Sequence, residues 1–196
     1  MDHPQIRRAD AADIPMLAHI HIAAWRESYA GWMPDAVLAN LDPADWAQRW
    51  RAQMSAAESD PAYAVFLALD DAGAPAGFGV CRRQTSPKLL PLGYDGEIVS
   101  LYLLRRLQGQ GAGRRLVAMM AAHLIAHGCE ACGFWVFRNS IGARGFYERL
   151  GATPSGVEGV WEVFGMVLPD MAYGWRDLRP LTMIAPQPLP QADATR

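Results

Sequence analysis

Three glycines alternate with other residues in the segment Leu107–Leu116, and two arginines follow them. The segment, LQGQGAGRRL, joins a predicted strand, EIVSLYLL, to a predicted helix. Glycine lets a backbone pass close to a bound group, and the free N–H groups at a helix start favour anions. Arg114 and Arg115 fall in the first helical turn, where a cation is unfavourable unless it meets an anion. This pattern predicts a phosphate-binding loop.

Two common phosphate-binding loops do not fit this spacing. The dinucleotide fingerprint G-x-G-x-x-G would place its third glycine at Arg114, after Gly109 and Gly111. A P-loop requires a Gly-Lys-Ser/Thr triplet, which the segment does not contain. A glycine cluster considered alone is more often a flexible turn without a ligand. The assignment therefore depends on the neighbouring segments.

The surrounding sequence predicts one α/β domain with a mixed sheet. The predicted order is a strand, helices, three strands, a helix, a strand, a helix and two final strands. Asp10 or Asp13 is expected to cap the first helix, and Asp42 the second. The last strand pair is expected to turn around Pro169–Asp170. The predicted domain spans residues 4–179, and the proline-rich tail, residues 180–196, is expected to be disordered.

Composition narrows the class of protein further. A formal net charge of -2 over 196 residues provides no basic field for nucleic acid. The N-terminus lacks the apolar core of a signal peptide, and the longest mostly apolar run, LVAMMAAHLIA, is too short to span a bilayer. Three cysteines are too few for a disulfide scaffold. We therefore expect a cytoplasmic protein that binds neither nucleic acid nor membrane.

One cluster contains residue types that bind metals. His123, His127, Cys129 and Cys132 follow one another closely, and the two histidines share a helical face. The cysteines, however, run from a helix end into a strand, which leaves no loop to fold around a metal. The spacing from histidine to cysteine is also unlike that of zinc modules. No metal is expected.

Three segments in the right order resemble the GNAT superfamily of N-acetyltransferases. The glycine segment resembles its acetyl-CoA-binding motif, Gln/Arg-x-x-Gly-x-Gly/Ala, with Gln108, Gly111 and Gly113 at the fixed places. EIVSLYLLRRLQ resembles the family's fourth strand and loop, although Arg105 stands where many members have proline. FWVFRNSIGARGFYERLGA resembles its second signature, and AAWRESYAGWMP is similar to a helix of one branch. The resemblance covers Ile6–Leu178.

The resemblance implies a GNAT fold, with a central, mostly antiparallel sheet of about seven strands and flanking helices. The fourth and fifth strands would splay apart to hold acetyl-CoA. Its pyrophosphate would lie on main-chain N–H groups of the glycine segment, and its pantetheine arm would lie along the fourth strand. The implied cofactor-binding residues are Leu101, Tyr102, Leu103, Gln108, Gly109, Gln110, Gly111, Ala112, Gly113, Arg114 and Asn139.

Acetyl transfer to an amine requires a proton acceptor and a proton donor. An aliphatic ammonium group has a pKa of about 10, so it must lose a proton before it attacks. The resemblance places a base at Glu97, four residues before Leu101, with Asp95 and Tyr94 as nearby substitutes. It places an acid at Tyr147, which would protonate the departing thiolate. Direct transfer without a covalent enzyme intermediate is implied.

The acceptor pocket is specified less closely. In the family the first helix and its following loop line this pocket, so Trp25, Ser28 and Tyr29 are predicted to bind substrate, although core burial competes for the tryptophan. The expected partner is a small-molecule or peptide amine, and a homodimer through the last strand pair stays open. The alternatives are a catalytically inactive acyl-CoA-binding module and a transferase for a longer acyl-CoA.

Overall fold

A single sheet connects all the described strands of the protein. The strands are β1 (Gln5–Arg8), β2 (Ala64–Leu69), β3 (Pro75–Arg83), β4 (Gly96–Leu103), β5 (Cys132–Phe137), β6 (Thr153–Val163) and β7 (Met166–Trp175). Their order is β1-β2-β3-β4-β5-β7-β6. Among these strands only the β4–β5 pair is parallel, which confirms the predicted mixed, mostly antiparallel sheet. The computed structural model describes residues 4–56 and 59–183.

Helices cover both faces of this sheet. They are α1 (Ile14–Tyr29), α2 (Asp35–Ala39), α3 (Pro43–Ala56), α4 (Ala112–Ala126), α5 (Ile141–Arg149) and α6 (Arg179–Thr182). One apolar core joins α1 and α3 to the sheet, and another joins α4 and α5 to its opposite face. No helix in the described part of the chain is long and apolar enough to cross a membrane.

Aspartate side chains cap the first helical turns of the chain. Asp10 accepts a hydrogen bond from the N–H of Ala12 at 2.8 Å, and the side chain of Asp13 accepts one from the N–H of Asp10. Asp42 accepts from the N–H of Ala44 at 2.9 Å. The predicted cap at Asp42 is confirmed. Asp10 and Asp13 instead cap the 3-10 turn Ala11–Asp13 that leads into α1, and α1 itself begins without a side-chain cap.

The strand β2 shows how the two cores use one sheet. All six of its residues are buried. Phe66 packs in the core of α4, whereas Val65 and Leu67 pack in the core of α1 and α3. Successive side chains of a strand point to opposite faces, so covering both faces buries the whole strand and gives an uninterrupted apolar run in the sequence.

The parallel pair β4–β5 is short. Gly96 pairs with Cys132 and Glu97 with Gly133, and no later residue of the described β4 pairs with β5. In the β3–β4 pair, Val80 lies opposite Ser100 and Cys81 lies opposite Ile98. One residue of β4, Val99, is therefore left without a partner in β3. Such a bulge bends the strand that carries the extra residue. The predicted splay between the fourth and fifth strands is therefore present.

The last two strands form a longer hairpin than the sequence predicts. The turn lies at Phe164–Gly165, where both residues have positive φ, and not at Pro169–Asp170, which lies inside β7. Two residues with positive φ match the twist of a tight hairpin. The prediction was wrong because Pro-Asp is a frequent turn pair, whereas phenylalanine seldom adopts positive φ.

The packed chain also continues past the predicted domain boundary. Helix α6 (Arg179–Thr182) begins at the last residue of the predicted domain, and Leu181 is buried in the α4 core. The first residues of the predicted tail therefore belong to the fold. Residues 184–196, the rest of that tail, lie outside the described residues.

Gly174 provides a test of close packing in β7. A Cβ there would lie 2.3 Å from Tyr94 Cε1 and 2.6 Å from the carbonyl oxygen of Cys132. We expect Gly174→Ala to lower the free energy of unfolding by about 1–3 kcal/mol, since overpacking displaces backbone as well as side chain. Denaturant unfolding measures the change. The matched control is Gly142→Ala in α5, whose Cβ would meet open space; equal stability losses would contradict the packing argument.

Candidate active site

A cleft opens where β4 and β5 separate. Its volume is about 1400 Å³. Its walls are the β4 segment Ile98–Leu103, the β5 segment Phe134–Phe137, the loop before α4, and parts of α1, α3 and α5. The β4 main chain at the cleft has β3 on one side and no strand partner on the other within the described chain. This unpaired edge can accept an extended ligand in the way a sheet accepts another strand.

The glycine loop ends at the N-terminus of α4. Gly109 and Gly111 have φ of +74° and +81°, a conformation that glycine adopts without strain. No described side chain caps the helix start. The side-chain amide of Gln108 donates to the Leu103 carbonyl at 2.9 Å, and that of Gln110 donates to the Arg106 carbonyl at 2.7 Å. These two hydrogen bonds fix the loop through its glutamine side chains. The N–H of Gln108 donates to the Arg105 carbonyl at 3.1 Å, and the N–H groups that follow it have no capping side chain among the described residues.

The start of α4 packs closely against its neighbours. A Cβ on Gly113 would lie 3.2 Å from Phe146 and 3.3 Å from Leu103, and Ala112 is buried. Arg114 lines the cleft. Nη1 of Arg115 is buried without a hydrogen-bond partner among the described residues. Small residues therefore bring the helix start and Arg114 to the cleft.

Tyr147 lies on α5 and lines the cleft. Its ring packs 4.3 Å from that of Phe134 and 5.0 Å from that of Phe146, between centroids. Burial raises the pKa of the Tyr147 phenol well above its usual value. The phenol therefore stays protonated at neutral pH and can donate a hydrogen bond or a proton. Asn139, by contrast, is exposed in the turn before α5, and Ser140 lines the cleft beside it.

Glu97 lies at the closed end of the splay. Its carboxylate forms an ion pair with Nε of Arg82 at 2.7 Å and accepts a hydrogen bond from the Thr85 hydroxyl at 3.3 Å. It is buried, and it is not among the described residues that line the cleft. The base assignment of Glu97 stays a prediction, and direct contact with the amine would require Arg82 or Thr85 to release it.

The two substitutes for Glu97 have structural roles. The Asp95 carboxylate accepts hydrogen bonds from the N–H groups of Glu130 and Ala131 at 2.9–3.1 Å. Tyr94 is buried, and its ring lies against the positions where Gly133 and Gly174 would carry a Cβ. Neither side chain is part of the described cleft lining. They fasten the strands below the splay instead.

His21 is a titratable group in the cleft that the sequence did not indicate. It lies on α1 with its ring 4.1 Å from that of Trp46, and Nδ1 has no partner in the described structure. Burial lowers the pKa of His21 to about 3. The imidazole is neutral at physiological pH and too weak a base to take a proton from an ammonium group.

The predicted acceptor residues Trp25, Ser28 and Tyr29 all line the cleft. Trp25 and Tyr29 are also buried in the α1–α3 core, so packing and cleft lining coexist. The Tyr29 hydroxyl lies 2.7 Å from that of Tyr102, and burial raises the pKa of both phenols. The side chain of Tyr102 thus belongs to the α1 side of the cleft, while its main chain forms part of the β4 edge.

Strands β5 and β6 extend the predicted acceptor residues of α1 into an aromatic wall, and sequence reasoning missed these strand residues. The wall consists of Trp25, Tyr29, Trp135, Phe137 and Trp161, all of which line the cleft. Ring centroids are 5.7 Å apart for Trp25 and Trp161, 5.4 Å for Phe137 and Trp161, and 5.8 Å for Tyr29 and Phe137. Trp135 and Phe137 alternate in β5, which places both on one face, and this alternation is visible in the sequence FWVF.

Asp170 also lines the cleft, beside the aromatic wall. It pairs with Phe137 across β5 and with Gly159 across β6. Its relative exposure is 9%, and Oδ1 is buried without a hydrogen-bond partner in the described residues. Burial raises the pKa of Asp170, and the charge of Lys88 opposes this rise. Sequence reasoning did not identify Asp170 as a site residue, because the pair Pro169–Asp170 was predicted to form a turn.

The described residues contain no group of three or more side chains placed to hold a metal ion. The rings of His123 and His127 lie 4.2 Å apart, and burial lowers the pKa of His123 to about 4. Cys132 is buried in the sheet core, and Cys129 lies against the carbonyl of Asp95.

The splayed sheet, the helix-start loop and the cleft between them define an acetyltransferase architecture. Residues 19–152 match the model of the Acetyltransferase (GNAT) family. The chain is 32% identical over 180 residues to YuaI of Bacillus subtilis strain 168, described as an uncharacterized N-acetyltransferase, covering 90% of this chain and 95% of the relative. The chain belongs to the GNAT acetyltransferase family, and its enzyme class is N-acetyltransferase.

Solved structures share the fold at low sequence identity. The putative acetyltransferase yncA from Salmonella typhimurium, solved with its cofactor acetyl-CoA, has a TM-score of 0.63 and 18% identity, over 99% of this chain and 100% of that one. The PaiA N-acetyltransferase from Thermoplasma acidophilum, solved with coenzyme A, has a TM-score of 0.63 and 17% identity, over 88% and 98%.

The raised pKa of Asp170 predicts a stability effect. The folded protein holds this proton more tightly than the unfolded chain, so ionisation at neutral pH costs stability. Asp170→Asn should therefore raise Tm at pH 7, and the gain should vanish as pH falls below the ordinary aspartate pKa of about 3.9. Thermal unfolding across this pH range is the measurement. Glu162→Gln, the same change at an exposed position of β6, is the control; a gain independent of pH would contradict the prediction.

Proposed function

We propose that the protein transfers the acetyl group of acetyl-CoA directly to a primary amine. One observation carries this proposal: the unpaired β4 edge and the glycine loop at the start of α4 line the same cleft. Membership in the GNAT family supports it, as does the acetyl-CoA with which the similar yncA structure was solved.

The residues present fit coenzyme A. Main-chain N–H groups from Gly109 to Arg114 would hold the pyrophosphate, because two glycines with positive φ expose them and the helix dipole favours an anion. The guanidinium of Arg114, which lines the cleft, adds positive charge at this helix start. The main chain of Leu101–Leu103 would bind the pantetheine arm along the free edge. Contact of this arm with Asn139 stays a prediction.

The reaction follows from groups that the cleft presents. The deprotonated amine nitrogen attacks the thioester carbonyl and forms the amide C–N bond, the C–S bond breaks, and the thiolate leaves while the nitrogen releases its surplus proton to water. A free N–H on the β4 edge would stabilise the negative charge that develops on the carbonyl oxygen. Tyr147, protonated at neutral pH, would supply the proton that the thiolate takes.

Proton removal from the ammonium group is assigned to Glu97 in this proposal. Since Arg82 and Thr85 hold its carboxylate and it does not line the cleft, Glu97 would act through a chain of water molecules. A catalytically inactive acyl-CoA-binding module is not favoured, because Tyr147 is retained in the cleft of a GNAT enzyme. No observation on the described residues favours a longer acyl chain. Location in the cytoplasm and a homodimer through β6 and β7 stay predictions.

The coenzyme assignment is tested by thermal shift. Acetyl-CoA at a hundredfold above its Kd adds about 2.7 kcal/mol, or roughly 5–10 °C of Tm for a chain of this size. Gly111→Asp should abolish the shift, since its carboxylate repels the phosphates. Gly128→Asp is the matched control, because Gly128 has the same positive φ at the other end of α4. An unchanged thermal shift in Gly111→Asp would show that the phosphates bind elsewhere.

The acid assignment is tested by Tyr147→Phe. Loss of a general acid should lower kcat about 100-fold while the Kd of acetyl-CoA stays within about twofold, because the phenol acts only on the departing thiolate. Thiol release measures kcat once an amine panel has provided an acceptor. Tyr63→Phe removes another buried hydroxyl, outside the described cleft lining, and should leave kcat unchanged. Equal kcat in Tyr147→Phe and the wild type would remove the acid role.

A further inference from the structure

Asp170 lies on the acceptor side of the cleft. It is opposite Phe137, the last residue of β5, at the end where β4 and β5 have separated. A Cβ on Gly159 would lie 2.6 Å from Oδ1 of Asp170 and 3.0 Å from the ring of Trp135. The carboxylate therefore lies against the aromatic wall, and the absence of a side chain on Gly159 provides the space for it.

This carboxylate lacks the partners that buried carboxylates usually have. Glu97, another buried acid, has an arginine and a threonine, whereas no donor in the described residues bonds to Oδ1 of Asp170. Lys88 is a nearby cation, but its ammonium group donates to the Glu158 carbonyl at 3.0 Å and lies over the Trp135 ring at 5.8 Å. Burying a charge without a hydrogen bond is costly, so the site fits a ligand that brings a donor.

The surroundings specify what kind of donor. An ammonium group both neutralises a carboxylate and is attracted to the faces of aromatic rings. Apart from that of Trp135, the rings of the aromatic wall stand 5.3–5.8 Å apart between neighbouring centroids, so they present a continuous apolar surface. Such a surface contributes by burying an apolar body of similar shape.

We propose that Asp170 binds the ammonium group of the acceptor and that the aromatic wall packs against the body of the same molecule. The acceptor class is then a primary amine on a planar or compact apolar body, with no carboxylate beside the amine. An acceptor carboxylate would meet Asp170 at short range, where like charges repel strongly in a site of low dielectric. This inference rests on the proposed function, because it assigns the acceptor of the same cleft.

The experiment compares three related probes in thiol-release assays with acetyl-CoA. They are 2-phenylethylamine, L-phenylalanine, which adds a carboxylate beside the amine, and n-hexylamine, which lacks the ring. We expect kcat/KM for 2-phenylethylamine to exceed that for L-phenylalanine by about 10-fold or more, with n-hexylamine between them. L-phenylalanine acetylated as efficiently as 2-phenylethylamine would overturn the proposal.

The second arm tests the anchor itself. Asp170→Asn keeps the shape of the side chain and removes its charge, so KM for 2-phenylethylamine should rise about 10- to 100-fold, while the thermal shift with acetyl-CoA stays unchanged. Glu162→Gln is the control on the same hairpin and should keep the wild-type KM. The same KM in Asp170→Asn and Glu162→Gln would overturn the anchor.

A further variant keeps the proposal falsifiable if Asp170→Asn does not fold. Gly159→Ala would place a methyl group against Oδ1 and displace the carboxylate, so KM for the amine should rise in this variant as well; a wild-type KM would overturn the proposal. If the wild type shows the acetyl-CoA shift but acetylates none of the three probes, the inference fails and the proposed function stands. If the wild type shows no shift, the proposed function fails.

Discussion

The active cleft exists because β4 loses its partner after Glu97. A backbone N–H or C=O group removed from water needs a hydrogen-bond partner, and β3 supplies one on only one side of this strand. A bulge in β4 opposite Val80 and Cys81 lies just past the point where the pairing with β5 ends. The residues around Tyr94 and Asp95 hold the strands together below this point. The free edge, the helix-start loop and the acceptor wall all take their positions from this one departure from regular pairing.

Sequence alone predicted much of this arrangement, because its signals are local. The backbone has positive φ at positions 109 and 111, which favours glycine there. The start of α3 leaves N–H groups free, which favours a capping residue such as Asp42. These constraints act within a few residues, so they are visible in the order of amino acids. The strand pairing and the splay came instead from the family resemblance, since long-range register leaves no local pattern in a single sequence.

The remaining features depend on contacts between distant segments. Glu97 was predicted from its position in a strand, but its partner Arg82 is set by the β3–β4 register. Asp170 was assigned to a turn, because nothing in its neighbourhood indicates that Phe164–Gly165 turns instead. Trp161 reaches Trp25 only after the hairpin of β6 and β7 folds over α1. For such residues the chemistry available to a side chain is determined by tertiary packing.

The short β4–β5 contact has a consequence outside catalysis. In the described chain, two residue pairs between β4 and β5 connect strands β1–β4 to strands β5–β7. A cofactor lying along the free edge would act as a missing strand and tie these two parts together. Local opening and proteolytic cleavage depend on such connections. Occupancy by acetyl-CoA would then set how often this junction opens, so that the ligand is also a structural part of the sheet.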